Sequence, residues 1–270
     1  MNISKYDGLG NTFAITKYIH NKDFKNLAIK VCNDSQFNTD GLIIVKENPL
    51  EMLFYNRDGT SAPMCGNGIR AFSLYLKDKQ IIPNTLNNFN VKTKAGIMKV
   101  EVVQNKPFLC KVNMGKPVFN HNILKLKDTG PLISRKLSIN NKEIDISIVF
   151  MGTIHTVVFV KNATEMVGNV LGEKICNHPL FLEKTNVNFV SVNSKEEIVV
   201  RTYERGVGYT KACGTGCAAS FVIGKLLCNL NKQIIVLLQE GYLILEELGE
   251  KGEEEIFMTG PATHHFDLDI

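Results

Sequence analysis

Two stretches of the chain carry the same order of apolar and polar segments. In the first, the runs GLIIV and EMLFY read as strands, a polar glycine-containing loop follows, and IRAFSLYLK reads as a helix. In the second, NFVSV and EIVVRTY precede another polar loop and the helix-like CAASFVIGKLL. A strand pair around a glycine follows each helix, FNVKTKAGIMKVEVV in one half and IIVLLQEGYLILEEL in the other. The recurrence predicts two similar α/β units, each with a central helix packed on sheet, and not a solenoid.

Residue identities support the duplication. Cys65 opens CGNGIRA and Cys213 opens CGTGCAA. The same spacing, without gaps, carries Asn38 onto Asn186, Tyr55 onto Tyr203, Arg57 onto Arg205, Gly66 onto Gly214, Gly68 onto Gly216 and Ala71 onto Ala219. Two ancient copies of one unit imply two domains related by a pseudo-twofold axis. The boundary is expected at MGKPV (Met114 to Val118), with residues 1–115 forming the first domain and residues 116–259 the second. The tail, residues 260–270, is assigned back to the first.

Composition narrows the function. With 270 residues, 44% hydrophobic and 21% charged, the chain is ordinary globular material. Its net charge is only +4, and its few arginines form no run, which argues against nucleic acid or an anionic membrane as partner. No stretch approaches the ~20 apolar residues of a membrane span. The start, MNISKYDGLGNTFAI, lacks a secretory pattern, so a cytoplasmic protein with reduced thiols is expected. Seven scattered cysteines do not make a disulfide framework, and Cys213 with Cys217 lacks a second ligand pair for zinc. No metal is expected.

The two Cys-Gly-x-Gly loops carry the chemistry. Their glycines let the backbone turn tightly, and a helix starting there offers free N–H donors to a carboxylate or phosphate. Such a helix end also lowers a cysteine's pKa from its free value of ~8.5. One loop alone reads as readily as a structural turn with a buried cysteine; two symmetric copies point to a function. Facing one cleft, the two cysteines suit inversion at the α-carbon of an amino acid. One thiolate removes the α-proton from one face and the opposed thiol protonates the other. Charge developing on the carboxylate is held by preorganised N–H groups. No cofactor is expected, since no lysine lies in a recognisable pyridoxal-phosphate context.

These residues resemble the diaminopimelate epimerase family nearly end to end. KYDGLGNTF (Lys5 to Phe13), NRDGTSAPMCGNGIRAF (Asn56 to Phe72), TNVNFV (Thr185 to Val190), ERGVGYTKACGTG (Glu204 to Gly216) and MTGPA (Met258 to Ala262) carry the likeness. It implies an α/β (α+β) fold of two pseudo-twofold-related domains. Each would be a curved, mostly antiparallel sheet around a central helix, with the active site in the interdomain cleft. It implies a pyridoxal-phosphate- and metal-independent isomerase, usually a homodimer. Its substrates would be LL- and meso-2,6-diaminopimelate, on the route to lysine and peptidoglycan. Cys65 and Cys213 would be the acid/base pair, supported by His155 and Glu204. Amides of Gly66, Asn67, Gly214 and Thr215 would hold the reacting carboxylate. Asn11, Asn56, Asn186, Glu204 and Arg205 would bind the rest of the substrate, Arg205 pairing with carboxylate as guanidinium does.

Departures from the family pattern fall on substrate recognition. Thr153 stands in Gly152-Thr153-Ile154-His155 where an Asn is usual, Tyr209 replaces a usual Glu, and Arg57 a usual small residue. Asp7 and Thr12 also differ from the commonest residues. Two alternatives follow: a racemase of the same mechanism acting on another amino acid, such as lanthionine or histidine, or a non-catalytic amino-acid-binding relative. Isomerases resembling the phenazine-biosynthesis group use a carboxylate in place of the cysteines. Blander readings apply elsewhere. Cys32, Cys110, Cys176 and Cys228 read as buried small hydrophobes and Cys217 as helix packing. His264 and His265 read as surface residues, and the run GEKGEEE (Gly249 to Glu255) as a solvated turn. Without the likeness, His155 reads as a structural histidine and Glu204 with Arg205 as a loop ion pair.

Overall fold

The computed structural model describes residues 1–250 and 252–269, so Lys251 of the acidic run lies outside the described residues. The chain divides into two compact units, Met1–Asn113 joined by the stretch from Thr259, and Met114–Met258.

In the first unit, β1 (Asn2–Asp7), β2 (Thr12–Lys17), α1 (Phe24–Cys32), β3 (Gly41–Glu47) and β4 (Leu50–Asn56) come first. They are followed by β5 (Ser61–Ala62), α2 (Gly66–Asp78), β6 (Asn88–Thr93), β7 (Gly96–Asn105) and β8 (Phe108–Gly115). The second unit holds β9 (Arg135–Ile139), β10 (Lys142–Phe150), β11 (Ile154–Phe159), α3 (Val170–Cys176), β12 (Asn186–Val192) and β13 (Glu197–Glu204). It continues through β14 (Gly208–Thr210), α4 (Gly214–Cys228), β15 (Gln233–Leu237) and β16 (Tyr242–Leu248) to β17 (Glu255–Pro261). The last strand, β18 (Thr263–Asp269), pairs with β1 of the first unit.

The pairing repeats. β1–β2 is antiparallel, β2–β3 parallel, β3–β4 antiparallel, β4–β6 parallel and β6–β7 antiparallel. β10–β11, β11–β12, β12–β13, β13–β15 and β15–β16 reproduce that series. The fold is therefore mixed α+β, sheet-dominated and built from two repeats. The equivalence is not gapless, however. Tyr55 faces Leu42 across β3–β4, while its match Tyr203 faces Val187 across β12–β13. The register upstream of the tyrosines is shifted by three residues, so Asn38 and Asn186 are not structural equivalents.

Burial explains the helices. α1 buries Phe24, Leu27, Ala28, Val31 and Cys32, one face of a helix, and Asp23 caps it by accepting from the Asn26 N–H. α4 is apolar on nearly every side and packs against β10, β11, β12, β13 and β16. α2 lies on β1, β2, β3 and β18 in the same way. Cys32, Cys110, Cys176 and Cys217 are buried as expected, whereas Cys228, at the exposed end of α4, is only half-buried. Among the described residues no helix is long and apolar enough to cross a membrane.

Candidate active site

In the first unit, a two-residue turn with positive φ at Leu9 (62°) and Gly10 (79°) joins β1 to β2, as tight hairpins require. The backbone N–H of Gly8 donates to the Asn11 carbonyl (2.9 Å), and N–H groups of Leu9 and Gly10 hold Asp7, whose carboxyl burial pushes up. Asn11 leaves this turn half-buried. Gly8 rests on the start of α2: a Cβ there would meet the Asn67 carbonyl oxygen at 2.9 Å. The Asn67 side-chain oxygen accepts from Arg70 Nη1 (3.1 Å), a guanidinium wholly buried on α2.

Cys65 is the N-cap of α2, with extended backbone (φ −134°, ψ 116°), and its sulfur accepts from the Gly68 N–H at 3.3 Å. Gly68 packs closely on the cysteine, where a Cβ would lie 3.2 Å from Cys65 Cβ and 3.4 Å from its sulfur. Asn56 ends β4 and donates to Thr60 Oγ1 (3.0 Å). Arg57 next to it turns away, Nε donating to Asn33 Oδ1 at the end of α1 (2.7 Å).

The second unit gathers its residues at the ends of β11, β12 and β13 and the start of α4. His155 stands opposite Asn186 in the β11–β12 ladder. Asn186 Oδ1 accepts from the Arg205 N–H (2.9 Å), and Arg205 Nη1 donates to the Glu183 carbonyl (2.9 Å). Glu204 accepts from the Thr210 hydroxyl at 2.6 Å. Cys213 is the N-cap of α4 with nearly the backbone of Cys65 (φ −132°, ψ 104°). Its sulfur lies 3.5 Å from Thr215 Oγ1, within hydrogen-bond reach.

The helix start does not make Cys213 acidic. Burial, at 6% exposure, and the nearby charge of Glu204 push its thiol well up, outweighing the bonds from Thr215 and Gly216. At this position burial and Glu204 thus oppose the lowering expected of a cysteine at a helix start. His155 is fully buried, and desolvation holds its pKa down at about 3, with Arg205 adding to the effect.

Of the departures from the family pattern, two are scaffold. Tyr209 donates to the Asn169 carbonyl (2.8 Å), packs edge-on against Tyr203 (5.3 Å) and fills the space beside Gly172, where a Cβ would meet its oxygen at 2.8 Å. Arg57 serves the end of α1, as above. Thr153 differs: its hydroxyl is buried with no partner among the described residues, beside a left-handed Gly152 (φ 71°). Sequence reasoning missed Asn188, which lies two residues after Asn186 on β12 and bonds both His155 and Thr202. The period of a strand was the available signal, since residues two apart share a face.

The mixed, sheet-dominated fold of two repeats defines a class of proteins that other solved structures share. A Bacillus anthracis phenazine biosynthesis protein of the PhzF family has the same fold at TM-score 0.70 and 17% identity, covering 100% of this chain and 98% of that one. A probable proline racemase from Agrobacterium radiobacter K84 matches at TM-score 0.68 and 12% identity, covering 100% of this chain and 92% of that one. Within that class, the family model for diaminopimelate epimerase matches residues 3–120 and 147–265. The diaminopimelate epimerase of Halothermothrix orenii is 37% identical across 97% of this chain and 95% of its own length. The chain belongs to the diaminopimelate epimerase family and is an isomerase.

Proposed function

We propose that the protein interconverts LL- and meso-diaminopimelate by a two-base thiol mechanism, in lysine and peptidoglycan precursor synthesis, as a cytoplasmic homodimer. The observation that carries the reading is the pair of cysteines capping α2 and α4 in a chain matched by this family over both repeats. Cys65, whose sulfur accepts a helix N–H, is the thiolate that removes the α-proton. Cys213, held protonated by burial and Glu204, delivers its proton to the opposite face of the same carbon. After turnover the thiol and thiolate have exchanged roles, which is what a reversible inversion needs. N–H groups at the starts of both helices, from Gly66, Asn67, Gly214 and Thr215, hold the carboxylate as charge moves onto it. Arg205 and Glu204 bind carboxylate and ammonium, with Asn11, Asn56 and Asn186 completing recognition and His155 supporting the cysteines.

Incubation with LL-diaminopimelate in D₂O tests this. The meso product should carry one deuterium at the inverted carbon, and Cys65→Ala or Cys213→Ala should abolish net inversion. Full inversion by either variant would refute the mechanism. The unpartnered Thr153 hydroxyl favours a second reading, in which another amino acid is inverted by the same thiols. Exchange with lanthionine or histidine, and none with diaminopimelate, would establish that alternative.

A further inference from the structure

Asn188 sits where three groups of the second unit meet. Its Nδ2 is 3.1 Å from His155 Nδ1 and 3.3 Å from the Thr156 carbonyl oxygen, and its Oδ1 is 3.0 Å from Thr202 Oγ1. All four residues are buried. The Thr156 carbonyl can only accept, so the atom facing it is the amide NH₂, and the Thr202 hydroxyl donates to Oδ1. The same NH₂ faces His155 Nδ1, which must then be the unprotonated, accepting nitrogen. The proton of His155 is on Nε2, which is buried with no hydrogen-bond partner among the described residues. A buried N–H without an acceptor costs about 1–3 kcal/mol, so it is retained where something else bonds it. Asn188 also abuts α4: a Cβ on Gly216 would lie 2.3 Å from its Oδ1 and 3.1 Å from Thr202 Oγ1.

We infer that Asn188 is a positioning residue: it locks His155 in the Nε2–H form, so that the histidine offers a fixed hydrogen-bond donor to the reaction's negative charge and never acts as its base. This rests on the epimerase reading and deepens it. Burial, with the Arg205 guanidinium as the charge acting on the ring, opposes a second proton. Thr202 holds the amide in place, and Gly216 leaves it room.

The test is ¹⁵N NMR of full-length enzyme labelled at its six histidines, with His155→Gln assigning the signals. His155 should show an unprotonated Nδ1 and protonated Nε2 that do not titrate between about pH 5 and 8. Asn188→Asp, whose carboxylate only accepts, should move the proton to Nδ1 and lower kcat about tenfold or more with little change in KM. Thr202→Val, nearly isosteric, should keep the tautomer and lower kcat several-fold. A wild-type proton on Nδ1, or a cationic ring at neutral pH, overturns the inference. So does an Asn188→Asp enzyme with the swapped tautomer and unchanged kcat. Should Asn188→Asp fail to fold, the wild-type spectrum decides the tautomer and Thr202→Val decides the role, an unchanged kcat overturning it. The tautomer is read without turnover, so it stands or falls separately from the substrate assignment.

Discussion

The second glycine of Cys-Gly-x-Gly is crowded in both repeats, by different neighbours. Gly68 makes room for the cysteine it follows, whereas Gly216 makes room for Asn188 and Thr202 from the sheet. Gly216→Ala should therefore cost about 1–3 kcal/mol through overpacking, read by urea unfolding, and lower kcat as Asn188 shifts. The two cysteines should also differ in reactivity. Cys65 is half-buried and accepts a helix N–H, while Cys213 is buried and its thiol is pushed up. Brief iodoacetamide treatment at neutral pH, followed by peptide mass spectrometry, should label Cys65 well before Cys213. Tyr209→Phe should leave KM unchanged and lower stability by about 0.5–1.5 kcal/mol, since its hydroxyl bonds the backbone of Asn169 and Gly172. At this scale the sequence pattern pointed to the cysteines and their glycines. The upward push of burial and Glu204 on Cys213 is a product of folding that no motif spells out.

Among the elements, α2 and α4 were legible because each follows a repeated motif and carries an uninterrupted apolar segment. α1 and α3 escaped a gapless search at the cysteine spacing: FKNLAIKVC and VLGEKIC share a place in the fold, but their matches, Leu27 with Leu171, Lys30 with Lys174 and Cys32 with Cys176, fall at a different spacing. The gapless match of Asn38 to Asn186 failed for a related reason, a register offset that leaves local patterns intact. Strand β11 carries a measurable consequence. Its His155 has a folded pKa of about 3 against an ordinary 6.5, so the unfolded chain binds the extra proton between those values. The neutral buried ring contributes its full stability above about pH 6.5, and that contribution is lost as pH falls toward 3. One proton corresponds to a slope of about 1.4 kcal/mol per pH unit. Urea unfolding of His155→Gln should show an acid limb shallower than the wild type by up to that amount.

For the molecule as a whole, the chain leaves its first unit, builds the second, and returns to finish the first. The returning strand β18 extends β1 through six registered pairs, from Asn2 with Asp269 to Asp7 with Thr263. Its Phe266 packs on Phe37 (5.6 Å), its His264 stacks on Tyr6 (4.6 Å), and its Asp267 pairs with Lys79 (2.8 Å). Just before it, the Pro261 carbonyl accepts from Nε of Arg70 (3.0 Å), the buried guanidinium that also bonds Asn67 at the start of α2. The last residues of the chain thus brace the helix that Cys65 caps. Ending the chain at Met258 removes the acceptor of a charged donor, worth about 1.5–3 kcal/mol, and uncovers the edge of β1. Hydrogen exchange should then show β1, β2 and α2 losing protection while β12 and α4 keep theirs. Inversion of substrate should be lost with every residue of the second unit still present. Retained protection in β1 and α2 after such a truncation would show that the first unit does not depend on the returning strand.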